Sequence, residues 1–184
     1  MTLARAEDSA LAVVDIQEKL APAMRPDDRR EVLAGVAVLL QAAGELGIPV
    51  LATEQYPKGL GATLPEVSGH LPENARVIRK DSFSCCGEAG FSTALEATGR
   101  GQVVIAGMEA HVCVLQTALE LREAGYRPFV VADGVCSRRE GHKGNALDRL
   151  RSNGVQVANV ESVLFEWLQR AGTDSFRKLA RLIR

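Results

Sequence analysis

The sequence predicts an α/β protein, a three-layer α/β/α sandwich around a six-stranded, mostly parallel, Rossmann-like sheet. Two observations carry this expectation. Apolar runs that read as strands alternate with helical stretches along the chain, the pattern of a parallel sheet with helices on its faces. The strand runs are continuously apolar rather than alternating, which suits strands buried on both sides.

Taken in order, "SALAVVDIQ" reads as a strand ending at Asp15. "DDRREVLAGVAVLLQAAGELG" reads as a helix, with acidic residues early and a glycine stop. "IPVLATEQ" and the short "ARVIRK" are the second and third strands, "GEAGFSTALEATG" a helix and "QVVIAG" the fourth strand. Beyond it Val114, Leu115, Ala118, Leu119 and Leu121 recur at helical spacing, so Cys113 is expected in the first turn of a helix. "RPFVVADGVC" is a fifth strand, "GHKGNALDRLRSNG" a helix and "VQVANV" a sixth strand. "ESVLFEWLQRAG" and "DSFRKLARLIR" complete the chain as helices. No repeat, low-complexity tract or linker divides it, so 1–184 is read as one domain.

Composition excludes several function classes. A net charge of -1 gives no general attraction to nucleic acid or an anionic membrane. Aromatics at 4% leave little for base stacking. No apolar run reaches the length of a bilayer span, and "MTLARAEDSALAVVDIQ" carries charges where a signal peptide needs an apolar stretch. The expectation is a cytoplasmic protein with neither a membrane nor a nucleic-acid partner. The four cysteines, Cys85, Cys86, Cys113 and Cys136, form no C-x-x-C pair and are expected as free thiols. Cys85 and Cys86 read as space-filling side chains, since neighbours rarely close a relaxed disulfide.

In an open parallel sheet the ligand site lies beyond the carboxyl ends of the strands. That rule selects Asp15, Thr53 to Tyr56, Lys80 and residues 107 to 113. Each group alone has a plain structural reading: Asp15 as a cap, Lys80 as a solvated strand end, Cys113 as a small buried hydrophobe. Together they make a chemical set. A helix start and a lysine favour the thiolate. A carboxylate can take the thiol proton and deliver it to a leaving amine. Helix-start amides can bind an oxyanion. His111, two residues before Cys113, reads as a packing or interface residue.

"AVVDIQ", "RKDSFSCC" and "AGMEAHVCVLQTALEL" resemble the three catalytic segments of the isochorismatase-like cysteine hydrolases. "TEQYPKGLG" and "VESVLFEWL" resemble the isochorismatase domain-containing subgroup. The resemblance covers nearly the whole chain. It implies Asp15 and Lys80 as catalytic partners of the nucleophile Cys113, and a cis peptide at Met108–Glu109. It further implies an oxyanion hole of the Glu109 and Cys113 amides, and assembly into a homo-oligomer. The family often has Thr where this chain has Ala110, which puts a hydroxyl contact there in doubt. Metal-dependent relatives carry Asp and His after the second strand. Here "TEQYPKGLG" has no histidine, and neither His70 nor His142 has a ligand spacing. No catalytic metal and no cofactor are expected.

The expected activity is cleavage of a carbon–nitrogen, amide-type bond of a small molecule through a Cys–Asp–Lys triad and a thioester. One alternative is vinyl-ether hydrolysis with Asp15 as acid; another is a non-catalytic binding protein. Gln17, Gln55, Tyr56, Phe83 and Met108 follow the strand ends and are expected to line the site. No basic cluster suggests a multiply anionic substrate.

Overall fold

The computed structural model describes residues 3–183. Six strands form one sheet: β1 (Ser9–Val14), β2 (Val50–Gln55), β3 (Arg76–Lys80), β4 (Gln102–Met108), β5 (Arg127–Cys136) and β6 (Gln156–Ala158). Every ladder between them is parallel, and the order is β3-β2-β1-β4-β5-β6. This is the doubly wound Rossmann order, with its switch point between β1 and β4.

The helices are α1 (Pro26–Leu46), α2 (Pro57–Leu60), α3 (Pro65–Ser68), α4 (Ala89–Glu96), α5 (Leu115–Glu123), α6 (Glu140–Ser152), α7 (Val160–Leu168) and α8 (Asp174–Leu179). α1 begins on Pro26 with Asp27 and Asp28 in its first turn and stops at Gly47 in the left-handed conformation. These are the start and stop signals its sequence carried.

Strand geometry sends successive side chains to opposite faces, and β1 obeys it. Leu11 and Val13 join a core with Leu39 of α1, Val163 and Trp167 of α7 and Leu179 of α8. Ala10, Ala12 and Val14 join a second core with Phe91 of α4, Leu121 of α5 and Leu150 of α6. Two cores on the two faces of one sheet make the three layers.

The structure corrects the sequence reading in five places. The edge strand β3 is largely exposed, with only Lys80 buried; a strand with one neighbour and no full helix layer need not be apolar. β6 is three residues long because Val160 already belongs to α7. Helices α2 and α3, each begun on a proline, were not among the expected elements. Cys113 lies in a π-helical turn, Ala110–Val114, that precedes α5; apolar spacing does not distinguish this from a first α-turn. Of the expected C-terminal helix, α8 ends at Leu179 and Arg184 lies outside the described residues.

Candidate active site

The β1–β4 switch point brings Asp15 and Cys113 together. Asp15 directly follows β1 and takes a positive φ of 52°. Gly107, paired with Val14 across the ladder, has a φ of 129°, and a Cβ there would lie 2.1 Å from the Val14 carbonyl oxygen. Only glycine permits this close approach of β4 to β1. The chain then passes through the Met108–Glu109 peptide, which is cis, into the turn carrying Cys113.

Lys80, at the end of β3, reaches across β2 to Asp15. Both side chains are fully buried, and Nζ lies 2.8 Å from Asp15 Oδ2. The ammonium has three hydrogens. It also faces Gln55 Oε1 at 2.7 Å and the Phe83 and Ser82 carbonyls at 2.9 and 3.1 Å. Four oxygens thus surround three hydrogens, and Asp15 Oδ2 shares the ammonium as its ion-pair partner. Asp15 Oδ1 accepts from Thr53 Oγ1 at 2.7 Å. The buried carboxylate is thus held at one oxygen by a hydroxyl and at the other by the charge of Lys80.

Cys113 is 5% exposed. Burial pushes its thiol up to about 12; the Asp15 carboxylate pushes the same way, and Lys80 only partly offsets them. This reverses the expectation of a thiolate at rest. Burial and an acceptor carboxylate disfavour the charged sulfur more than one lysine, itself paired, favours it. Cys85 lies beside the site with Sγ 3.9 Å from Thr53 Oγ1, and burial pushes its thiol up to about 11.

The expected lining residues divide. Gln17 Nε2 donates to the Gln55 and Gly61 carbonyls, and Gln17 Oε1 accepts the Gln55 N–H. Gln55 in turn accepts from Lys80 and donates to the Asp81 carbonyl. Both amides are engaged within the protein and brace Lys80. Met108 is wholly buried in the α1-side core. Tyr56, 54% exposed, and Phe83, 56% exposed, stand at the rim. Tyr56 borders an open pocket of about 290 Å³ with Pro57, Lys58, Arg79, Lys80, Asp81 and Glu88. This pocket reaches Lys80 from the β3 side but touches neither Asp15 nor Cys113. Among the described residues no three His, Cys, Asp or Glu side chains converge as a metal-ligand set.

Two residues of "SRRE", a segment that also resembles the subgroup, were given no role by the sequence reading. Arg138 binds the Glu109 carboxylate, and Ser137 Oγ lies 3.0 Å from His111 Nδ1. Both follow the carboxyl end of β5, so the strand-end rule applied to that strand would have found them. No backbone or side-chain acceptor among the described residues takes the Glu109 amide N–H.

A doubly wound α/β sheet with a carboxylate, a lysine and a cysteine meeting at its switch point defines the class. The chain belongs to the isochorismatase family: the Isochorismatase domain model matches residues 9–162. It is 38% identical over 175 residues to isochorismatase domain-containing protein 2 of Danio rerio, covering 95% of this chain and 86% of that one. A structure described as a MAR1 ribonuclease from Caenorhabditis elegans superposes with a TM-score of 0.93 at 34% identity, over 99% of this chain and 92% of that one. An Escherichia coli protein described as an octameric hydrolase of unknown specificity superposes with a TM-score of 0.89 at 26% identity, over 99% and 91%. No helix among the described residues is long and apolar enough to cross a membrane.

Proposed function

We propose that the protein is a cysteine hydrolase that cleaves an amide-type carbon–nitrogen bond of a small molecule. The observation that carries this reading is the buried Asp15–Lys80 pair beside Cys113, whose thiol feels the Asp15 carboxylate directly. A thiol held neutral at rest needs its proton removed as it attacks, and the neighbouring Asp15 carboxylate is the group to take it.

The steps follow. Substrate enters and Cys113 Sγ bonds to the carbonyl carbon while its proton passes to Asp15. The carbonyl oxygen gains charge between the amides of Glu109 and Cys113. The carbon–nitrogen bond breaks, Asp15 protonates the departing amine, and a thioester remains. Asp15 then takes a proton from water as the water oxygen bonds to the thioester carbon; the carbon–sulfur bond breaks, the carboxylic acid leaves, and Asp15 returns the proton to Cys113. Lys80 balances the negative charge in each step and is itself held by Gln55, Ser82 and Phe83. Tyr56 and Phe83 are the exposed side chains placed to meet the substrate.

The high pKa of Cys113 gives specific weight to a second reading, vinyl-ether hydrolysis with Asp15 as proton donor. The thiol would then stay protonated throughout. One experiment separates the two. Purified protein and Cys113→Ala are assayed against amides, ureas, carbamoyl compounds and isochorismate, with RNA as a control. Thioester capture by intact mass, with turnover abolished in Cys113→Ala, supports the cysteine mechanism. Isochorismate turnover that survives in Cys113→Ala supports the second reading and defeats the first.

The homo-oligomer expected from the resemblance is supported by the octameric state described for the E. coli neighbour. Light scattering of the purified protein tests it.

A further inference from the structure

The turn that carries Cys113 is gripped from outside the triad. Glu109, the residue entering it, has a side chain only 5% exposed. Its Oε1 accepts the Arg138 backbone N–H and the Arg138 Nε–H, both at 3.0 Å, and its Oε2 accepts from Arg138 Nη2 at 2.6 Å. Burial works against the Glu109 charge, but the Arg138 hydrogen bonds and charge outweigh it and hold the carboxyl below its ordinary range. One residue earlier, Ser137 Oγ lies 3.0 Å from His111 Nδ1. The His111 ring in turn lies 4.6 Å from that of His142 in α6. Consecutive residues after β5 therefore hold alternate residues of the turn. A buried carboxylate in a bidentate pair is a weak means of gaining stability, because desolvation offsets most of the attraction. It is a strong means of fixing geometry, because the guanidinium fork allows one orientation.

We propose that Arg138 is a positioning residue for acyl transfer: by locking Glu109 it holds the Glu109 amide and the following turn where the developing oxyanion forms. This rests on the cysteine-hydrolase reading above. Arg138 itself is half exposed, beyond the triad, and acts only through Glu109.

Two reagents that both modify Cys113 separate this role from a structural one. Iodoacetamide forms a sulfur–carbon bond at a saturated carbon and expels iodide, with no carbonyl oxyanion. p-Nitrophenyl acetate is attacked at its carbonyl carbon, passes through an oxyanion, expels p-nitrophenolate and leaves an acetyl thioester. The thiol proton is lost in both, so the ratio of the two rates reports the oxyanion site. In Arg138→Met the acylation rate should fall about tenfold or more relative to alkylation, the scale of a small misplacement at a reacting centre. Arg138→Lys should fall between Arg138→Met and the parent protein. Arg139→Met, one residue on, should leave the ratio unchanged.

Equal changes in both rates, or no change, in Arg138→Met would overturn the proposal. Should that variant fail to fold, Glu109→Gln and Arg138→Lys apply the same ratio test with milder changes. A parent protein that is alkylated but never acylated at Cys113 would remove the acyl-transfer reading itself, and Arg138's role with it. That outcome is distinct from an unchanged ratio.

Discussion

Lys80 Nζ stands 2.8 Å from Asp15 Oδ2 with both side chains fully buried, and it shares its hydrogens with Gln55, Ser82 and Phe83 as well. The lysine thus balances the Asp15 charge while being held in place by its neighbours. Removing one partner strands the other in a medium that solvates it poorly. Lys80→Met should therefore lower stability by about 3–5 kcal/mol. The double variant Asp15→Asn with Lys80→Met, which strands no charge, should recover part of that loss. Urea denaturation of the two variants checks this. A double variant no more stable than Lys80→Met would mean that the loss comes from packing.

The Cys113 thiol should behave as a buried, carboxylate-facing group. Its deprotonation is disfavoured first by burial and then by the negative charge of Asp15. Iodoacetamide labelling of Cys113, followed by peptide mass spectrometry, should rise through pH 9 without the inflection near ~8.5 of an ordinary thiol. The sign for Asp15→Asn is opposite to that for Lys80→Met. Losing the carboxylate removes a raising influence, so the inflection moves down. Losing the ammonium removes a lowering influence, so labelling at a given pH slows. An inflection well below ~8.5 in the parent protein would show instead that its surroundings favour the Cys113 thiolate.

What the residues disclosed and what they hid have physical reasons. The strand–helix alternation follows from burial on both sheet faces, so β1, β2 and β4 were legible from their apolar runs alone. The strand-end rule and the family motifs together singled out Asp15, Lys80 and Cys113. The π-helical turn was hidden, because Val114, Leu115 and Ala118 pack the same way after either kind of turn. The direction of the Cys113 shift was hidden too. It depends on how deeply the sulfur is buried and on how Asp15 and Lys80 stand around it, neither of which a linear sequence records. Arg138 lay within reach of the strand-end rule, but its pairing with Glu109, 29 residues away, was not legible.

Gln55 separates a bracing role from a substrate contact. Its carboxamide joins Lys80 Nζ to the Asp81 carbonyl, at 2.7 and 2.8 Å. Gln55→Leu leaves the ammonium three acceptors, Asp15 among them, so the loss should not exceed about 1–3 kcal/mol. If Gln55 braces Lys80, kcat on the active substrate falls while KM holds. A rise in KM with kcat preserved would return Gln55 to the substrate-binding set.

Gly107 tests the architecture on which all of this stands. Its φ of 129° is hostile to any side chain. A Cβ would meet the Val14 carbonyl oxygen at 2.1 Å and the Val14 nitrogen at 2.7 Å, both backbone atoms within the sheet. Neither can yield without parting β1 from β4, the pair that sets Asp15 opposite the Cys113 turn. Gly107→Ala should lose more than about 4 kcal/mol, in the range where single changes abolish folding. Gly141→Ala, where a Cβ meets nothing, should be silent. Soluble yield and thermal melting of the two variants read the difference directly. A Gly107→Ala protein that melts like its parent would mean that β1 and β4 can separate at the switch point, and the case for a rigid placement of Asp15 beside Cys113 would fall with that result.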